Sequence, residues 1–130
     1  MFSFEKMIAW QKAADLSDQI FVIADELPPK WQSSFGDQLR RACLSVTNNL
    51  AEGSGKRTPA SQRNFYDIAH GSLYEVMSML TLLKRRKIVS IETHQICHTA
   101  GDEIAAIIYG LMQACEARKT LREDGVPYDA

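Results

Sequence analysis

The chain has 130 residues, of which 45% are hydrophobic and 24% are charged, and its formal net charge is −1. This length suits one domain with a substantial core, and the near-average composition excludes a wholly disordered chain. No apolar run reaches the roughly 18 residues of a membrane-spanning helix, and the charge balance is unlike that of a dedicated nucleic-acid-binding protein.

The N-terminus and the cysteines both indicate a cytoplasmic protein. The segment Met1–Lys6 has no basic stretch leading into an apolar one, so we expect no secretory signal. Cys43, Cys97 and Cys115 are odd in number, widely spaced and set among apolar neighbours. We interpret them as reduced thiols of the core rather than as a disulfide framework.

Proline and glycine divide the chain into four predicted helices. Pro28 and Pro29 end the first, because proline lacks an amide donor and restricts the residue before it. Gly53 and Gly55 are expected to end the second, since glycine tolerates the left-handed conformation common at helix C-termini. Thr58 and Pro59 then open the third, with a capping hydroxyl and a proline at the first helical position.

Within these segments, apolar residues recur every three or four positions, which is typical of helices with one buried face. Alternation with a period of two is nowhere sustained, and the connections are short. The pattern predicts an all-α protein, an antiparallel up-down-up-down four-helix bundle. We expect helices at about 4–26, 35–53, 59–87 and 91–121, within a bundle of residues 1–122 that is followed by a flexible tail, 123–130.

The first predicted helix has more apolar surface than a bundle needs. One stripe runs from Ala9 to Leu27, and a neighbouring stripe includes Met7, Trp10 and Phe21. Two adjacent stripes exceed the roughly 100° arc of a single core contact. Either a loop or the tail covers the excess, or another subunit does, and we favour the subunit interface.

Three runs of residues carry a family resemblance. They are Gln38-Leu39-Arg40-Arg41-Ala42, then Ser45-Val46 with Asn49-Leu50-Ala51-Glu52-Gly53, and Ala69-His70-Gly71-Ser72-Leu73-Tyr74-Glu75. Together they resemble the four-helix-bundle family of 23S rRNA intervening-sequence proteins, which includes the accessory variability-determinant proteins of diversity-generating retroelements. The resemblance implies ring-shaped homopentamers without known catalysis. In the retroelement branch it also implies binding of nucleic acid and of a reverse transcriptase.

The motif residues also have a physical interpretation. Asn49 and Glu52 are three positions apart near the end of the second helix, so they share one face. A carboxylate meets like partial charge there, and we expect Glu52 to hydrogen-bond the start of the third helix or a neighbouring subunit. Gly71 costs the third helix about 1 kcal/mol, so we expect close packing of another helix at Gly71 and Ser72. We assign structural roles to these four residues and to Gly53.

Charge is segregated along the chain although the net charge is small. Residues 1–29 and 91–130 carry −3 and −4, whereas residues 30–63 and 64–90 carry +4 and +2. Antiparallel packing brings the start of the second helix beside the end of the third. That gathers what we term the basic end: Lys30, Arg40, Arg41, Lys84, Arg85, Arg86 and Lys87.

All residues of the basic end except Lys30 are our candidates for phosphate contacts. The alternative is that these cations are solvated and merely suit the partial charge of a helix C-terminus. A second, smaller basic group at the opposite end contains Lys56, Arg57 and Arg63.

Three patterns for chemistry fail on spacing. The run 53–57 lacks a first glycine and a final hydroxyl for a phosphate-binding loop, and it follows a helix instead of a strand. His94, His98 and Asp102 share a face that suits a divalent metal, but no facing ligand can be identified. Cys97 and His98 are consecutive and point apart, which is unsuitable for a nucleophile and its base. We expect no enzyme activity, cofactor or metal.

These observations predict a non-catalytic oligomeric scaffold or adaptor that binds structured RNA or DNA through the basic end. Its expected partners are further copies of itself, nucleic acid and a protein, and no membrane. The alternative is a purely structural or protein-binding homo-oligomer whose basic end is solvated. The homopentamer is implied by the family resemblance alone.

Overall fold

A computed structural model describes residues 1–123, and four long helices make up the molecule. They are α1 (Ile8–Asp25), α2 (Asp37–Ser54), α3 (Pro59–Arg85) and α4 (Ile91–Glu123). The described part of the chain is all-α and has no strand, so the predicted four-helix bundle is confirmed. Of the tail predicted for 123–130, all but Glu123 lies outside the described residues.

In each pair of neighbouring helices, residues late in one helix contact residues early in the other. Ser45 of α2 hydrogen-bonds Ser72 of α3, and further along α2, Gly53 faces Tyr66 near the start of α3. The same holds for α3 and α4, where Thr81 meets His94 and Arg63 meets Glu116; and for α1 and α4, where Lys12 pairs with Glu103 and Gln19 contacts Cys97.

The apolar rows of the four helices form one core. Its largest fully buried side chains are Ile20, Leu39, Leu50, Leu80, Leu83, Ile104 and Ile108. All three cysteines are free and buried among them, as the sequence predicts. No helix in residues 1–123 is long and apolar enough to cross a membrane.

The N-terminal segment differs from the prediction. The first helix is predicted from about residue 4, but Ser3–Lys6 forms a 3-10 turn and the regular helix begins at Ile8. This turn places the ring of Phe4 against Trp10, with centroids 4.9 Å apart. Part of the apolar excess of α1 is therefore covered from within the chain, while Ile8 and Val22 stay exposed.

Different residues determine where α2 ends and where α3 begins. Thr58 Oγ1 accepts a hydrogen bond from the Ser61 amide at 3.2 Å, and Pro59 begins α3, which is the predicted cap. As predicted, α2 ends between Gly53 and Gly55, at Ser54, but Gly55 after it has φ −91° and is not left-handed. Gly53 instead permits close packing, because an added Cβ would lie 2.5 Å from Cε1 of Tyr66.

Candidate nucleic-acid interface

The basic end lies where α1 stops, α2 starts and α3 stops. Lys30 is in a helical turn at Pro29–Trp31, which a π-type turn at Gln32–Gly36 joins to α2. Arg41 is in the first turns of α2. Residues 84–87 form the end of α3 and the turn after it, where Lys87 has φ 61°. The short helix–helix connections thus bring three separate parts of the sequence together.

Arg40 is held by carboxylates and is not free for a ligand. Its guanidinium donates to Asp25 at 2.7 Å and to Asp37 at 3.2 Å, and its side chain is only 29% exposed. These ion pairs connect the end of α1 to the start of α2. The structure therefore gives Arg40 a positioning role at this corner, although the sequence analysis proposes it for phosphate contact.

Gln32 completes the same corner, and sequence reasoning missed it. At the end of α1, its Nε2 donates to the carbonyl oxygen of Leu27 at 2.9 Å and to that of Ala24 at 2.8 Å, which also accepts from the Leu27 amide at 3.2 Å. Its Oε1 accepts from Arg40 Nη2 at 2.9 Å. One amide side chain therefore satisfies a helix end and orients the arginine beside it. No local sequence motif predicts such a contact.

The other cations of the basic end remain available. Lys30, Arg41, Arg85, Arg86 and Lys87 are exposed, and Lys84 is half-buried. None of them is paired with a carboxylate in residues 1–123. Two of the nearby acids, Asp25 and Asp37, are instead engaged with Arg40. Six of the seven cations of the basic end are therefore without an ion pair in residues 1–123.

The surface at the end of α3 is shallow and cationic. Three cations of the basic end line an open depression of about 400 Å³ together with Val89, Ser90 and Ile91; they are Lys84, Arg85 and Lys87. Ligand pockets for small molecules are usually concave, enclosed and mostly apolar. An open basic depression suits an extended polyanion better than a small substrate.

Trp31 is the second feature that the sequence analysis missed. Lys30 Nζ and the Arg86 guanidinium each lie 5.5 Å from the centre of its ring, within the range of a cation–π contact. Phe35 meets the ring edge-on, with centroids 5.6 Å apart. The basic end therefore contains a half-buried aromatic ring as well as charge. The signal in the sequence is the Lys30-Trp31 pair itself.

Asn49 and Ser72 of the structural motif are joined through Ser45 by hydrogen bonds. Asn49 Nδ2 donates to the Ser45 carbonyl at 2.8 Å and to Ser45 Oγ at 3.1 Å, and that hydroxyl lies 2.7 Å from Ser72 Oγ. Asn49, Ser45 and Ser72 thus form one hydrogen-bond chain between α2 and α3. Partners of this kind are what buried polar groups require.

Glu52 and Gly71 do not have the predicted intrachain roles. The Glu52 side chain is exposed and makes no hydrogen bond or ion pair within the described chain, while the Glu52 carbonyl accepts from the Gly55 amide at 3.1 Å. A Cβ added at Gly71 would meet nothing within 4 Å, since Gly71 lies opposite the buried row of Ala69 and Leu73. Close packing of a neighbouring helix occurs instead at Gly53 and not at Gly71.

The histidines of α4 do not form a metal site. His94 is 7% exposed and its Nε2 lies 3.0 Å from Thr81 Oγ1, while His98 pairs with Asp102 at 3.2 Å. Burial, with smaller effects of Lys84 and His98, lowers the pKa of His94. No group of three metal-ligating side chains is found in the described part of the protein.

The second basic group, at the other end of the bundle, is partly engaged. Arg63 pairs with Glu116 at 2.7 Å, and Lys56 Nζ lies 5.0 Å from the centre of the Phe65 ring. Arg57 is exposed. This group has fewer free cations than the basic end, and it serves as an internal control for charge.

The chain matches a known protein family. The model of a family described as 23S rRNA-intervening sequence protein matches residues 5–110, which covers α1 to α3, the basic end and most of α4. No curated protein matches the chain.

Proposed function

Because the chain belongs to the family of 23S rRNA-intervening sequence proteins, we propose that it is a non-catalytic scaffold that binds structured RNA or DNA through its basic end. The family is one of small helical proteins and is not a known enzyme family. The observation that carries the proposal is the set of cations without carboxylate partners at this end. The 23S rRNA in the family description favours RNA as the first ligand to test, and the buried thiols favour a reducing, cytoplasmic location.

The geometry suits contact with phosphates. Arg41 lies opposite residues near 76 of α3, about two to three helical turns from the run 84–87, so a strand of nucleic acid that runs along the bundle passes both. Each phosphate neutralised releases counterions and makes the affinity fall with salt. For about four contacts, affinity should fall roughly 100-fold between 50 and 200 mM salt. Such a slope separates this function from that of a purely structural oligomer.

The test is fluorescence anisotropy with a labelled RNA hairpin and a DNA duplex across a salt series. Arg41→Glu/Arg85→Glu reverses two exposed cations that have no partner to lose. Lys56→Glu/Arg57→Glu makes the same charge change at the opposite end and is the matched control. We expect at least a tenfold loss of affinity and a shallower salt slope for the first variant only. Equal affinities of both variants, or no binding at low salt, would leave the structural oligomer as the better account.

We further propose that the protein self-associates through the outer surface of α2 and α3. The Ser45–Ser72 hydrogen bond brings these helices side by side. Glu52 and Gly71 lie outward there without an intrachain role, and Ile68 is 44% exposed. A glycine with open space above it lets another backbone approach closely. The family resemblance implies that the assembly is a pentamer.

Light scattering tests the assembly. Gly71→Gln places a long side chain on the proposed surface, and Gly110→Gln does the same on α4, where an added Cβ also meets nothing within 4 Å. We expect the wild type and the Gly110 variant to be oligomers and the Gly71 variant to have a lower mass. A monomeric wild type at micromolar concentration would refute self-association, and equal masses for all three would refute this surface.

A further inference from the structure

We propose that Trp31 is a stacking platform for an unpaired base, so that the basic end selects loop or single-stranded nucleotides over duplex. The inference rests on the proposed function, because phosphate contacts at the same end bring the strand to the ring. It adds a class of ligand, nucleic acid with an exposed base face, and a residue that recognises it.

The ring is fixed in place by the fold. Trp31 ends the short turn after Pro28 and Pro29, and its amide donates to the Pro28 carbonyl at 2.9 Å. Its buried part packs on the core, and Phe35 contacts it at an interplanar angle of 72°. A platform that is already ordered loses little conformational entropy when a base stacks on it.

The remaining surface of the ring faces the cations. Lys30 and Arg86 are both exposed, and each places its charge 5.5 Å from the centre of the half-buried ring. Long side chains of this kind are displaced readily. Stacking of a base on an aromatic ring is stronger than a cation–π contact at an exposed site. A base can therefore take the place of Arg86 over the ring.

The displaced cation then has a new partner. Arg86 and Lys30 remain tethered beside the ring, within reach of the phosphates on either side of a stacked base. Aromatic rings next to lysine and arginine are the usual means by which proteins hold unpaired nucleotides. In a duplex both faces of each base are covered by its neighbours, so duplex contacts only the phosphate-binding cations. The structure thus predicts a preference for loops that charge alone cannot supply.

The chain provides its own spectroscopic reporter. Trp10 and Trp31 are the only tryptophans, and Trp10 lies at the start of α1, covered by Phe4 and far from the basic end. In Trp10→Phe, the emission therefore comes from Trp31 alone. We titrate this variant with an RNA hairpin that has a single-stranded loop and with a fully paired duplex of the same stem. Anisotropy of the labelled RNA reports binding in the same samples.

We expect the hairpin to quench Trp31 emission and the duplex to leave it unchanged at equal saturation. Trp31→Ala should lose about tenfold in hairpin affinity with duplex affinity unaltered, whereas Trp31→Phe should retain most of the hairpin affinity. Bound hairpin without quenching would overturn the stacking role and leave phosphate binding intact. Equal losses for hairpin and duplex would also overturn it, and no binding of either RNA would overturn the proposed function as well. If Trp31→Ala fails to fold by circular dichroism, the quenching of the folded Trp10→Phe protein decides.

Discussion

Gly53→Ala tests the closest approach of α2 to α3. The added Cβ would lie 2.5 Å from Cε1 and 2.8 Å from Cδ1 of Tyr66, and 3.2 Å from Cβ of Phe65. Ordinary contacts of a Cβ begin near 3.4 Å, so the Tyr66 ring must shift by about 0.9 Å. Tyr66 is 5% exposed and is surrounded by core side chains, which leaves the ring little space to move.

The size of the effect follows from two opposing terms. Overpacking of a core costs about 1–3 kcal/mol, and replacing glycine by alanine in a helix returns up to about 1 kcal/mol. The second term is small here because Gly53 is next to the last residue of α2. We therefore expect a net loss of about 1–2 kcal/mol in the free energy of unfolding. For a chain of this length that lowers Tm by roughly 3–8 °C.

The assay is urea unfolding followed by circular dichroism at one protein concentration, because self-association would make stability depend on concentration. Gly110→Ala is the control: its Cβ meets nothing within 4 Å, and we expect a gain of about 0.5–1 kcal/mol. Tyr66→Leu removes the obstructing ring, so Gly53→Ala should cost much less in that background. Equal stabilities of the Gly53 and Gly110 variants, or an undiminished cost in the Tyr66→Leu background, would refute this packing.

Four further experiments test other parts of the molecule. Arg40→Ala breaks two ion pairs and should lower the free energy of unfolding by about 1 kcal/mol. Arg41 has no ion pair in residues 1–123, so Arg41→Ala should weaken RNA binding in anisotropy and change the free energy of unfolding by less than about 0.5 kcal/mol. A loss of stability without a loss of RNA binding would contradict the roles given to Arg40 and Arg41. Burial raises the pKa of Cys43 to about 11, so a thiol reagent at about pH 8 should label it fully only in denaturant, and rapid native labelling would refute its burial. Burial lowers the pKa of His94, so as pH falls the unfolded chain takes up this proton first. The stability that neutral His94 contributes is therefore fully present above about pH 6.5 and is lost as the pH falls below it. His94→Gln should make the fall of Tm with decreasing pH less steep. If the fall of Tm is equally steep in the variant, other groups cause it.

The helices could be predicted because their signals are local. The cap of α3 needs only Thr58 and Pro59, and the buried rows follow the helical repeat. The corner between α1 and α2 is different. Gln32 reaches the carbonyl oxygens of Ala24 and Leu27, and nothing in its immediate neighbours indicates that contact. Asp37, three positions before Arg40, is the one local hint that this arginine is engaged.

The glycines show why the site could be predicted only in part. The sequence identifies Gly53 and Gly71 as special, yet it assigns left-handed backbone to the first and close packing to the second. Which glycine is crowded depends on the residue that faces it across the bundle, and that residue is Tyr66 for Gly53. Likewise, the charges of the basic end follow from composition, whereas the placement of Trp31 beside Arg86 depends on how the turn folds back.

The hydrogen-bond chain from Asn49 through Ser45 to Ser72 has a consequence for helix register. Two helices with repeating apolar rows can slide past each other by one turn, about 5.4 Å, and still bury similar side chains. A slide of that size would separate Ser45 from Ser72 and break the hydrogen bond between their half-buried hydroxyls, which opposes it. The polar chain therefore fixes the register in which the turn before α2, with Lys30 and Trp31, lies beside Arg86 at the end of α3, so that the placement of these groups is set midway along the bundle, away from the surface that carries them.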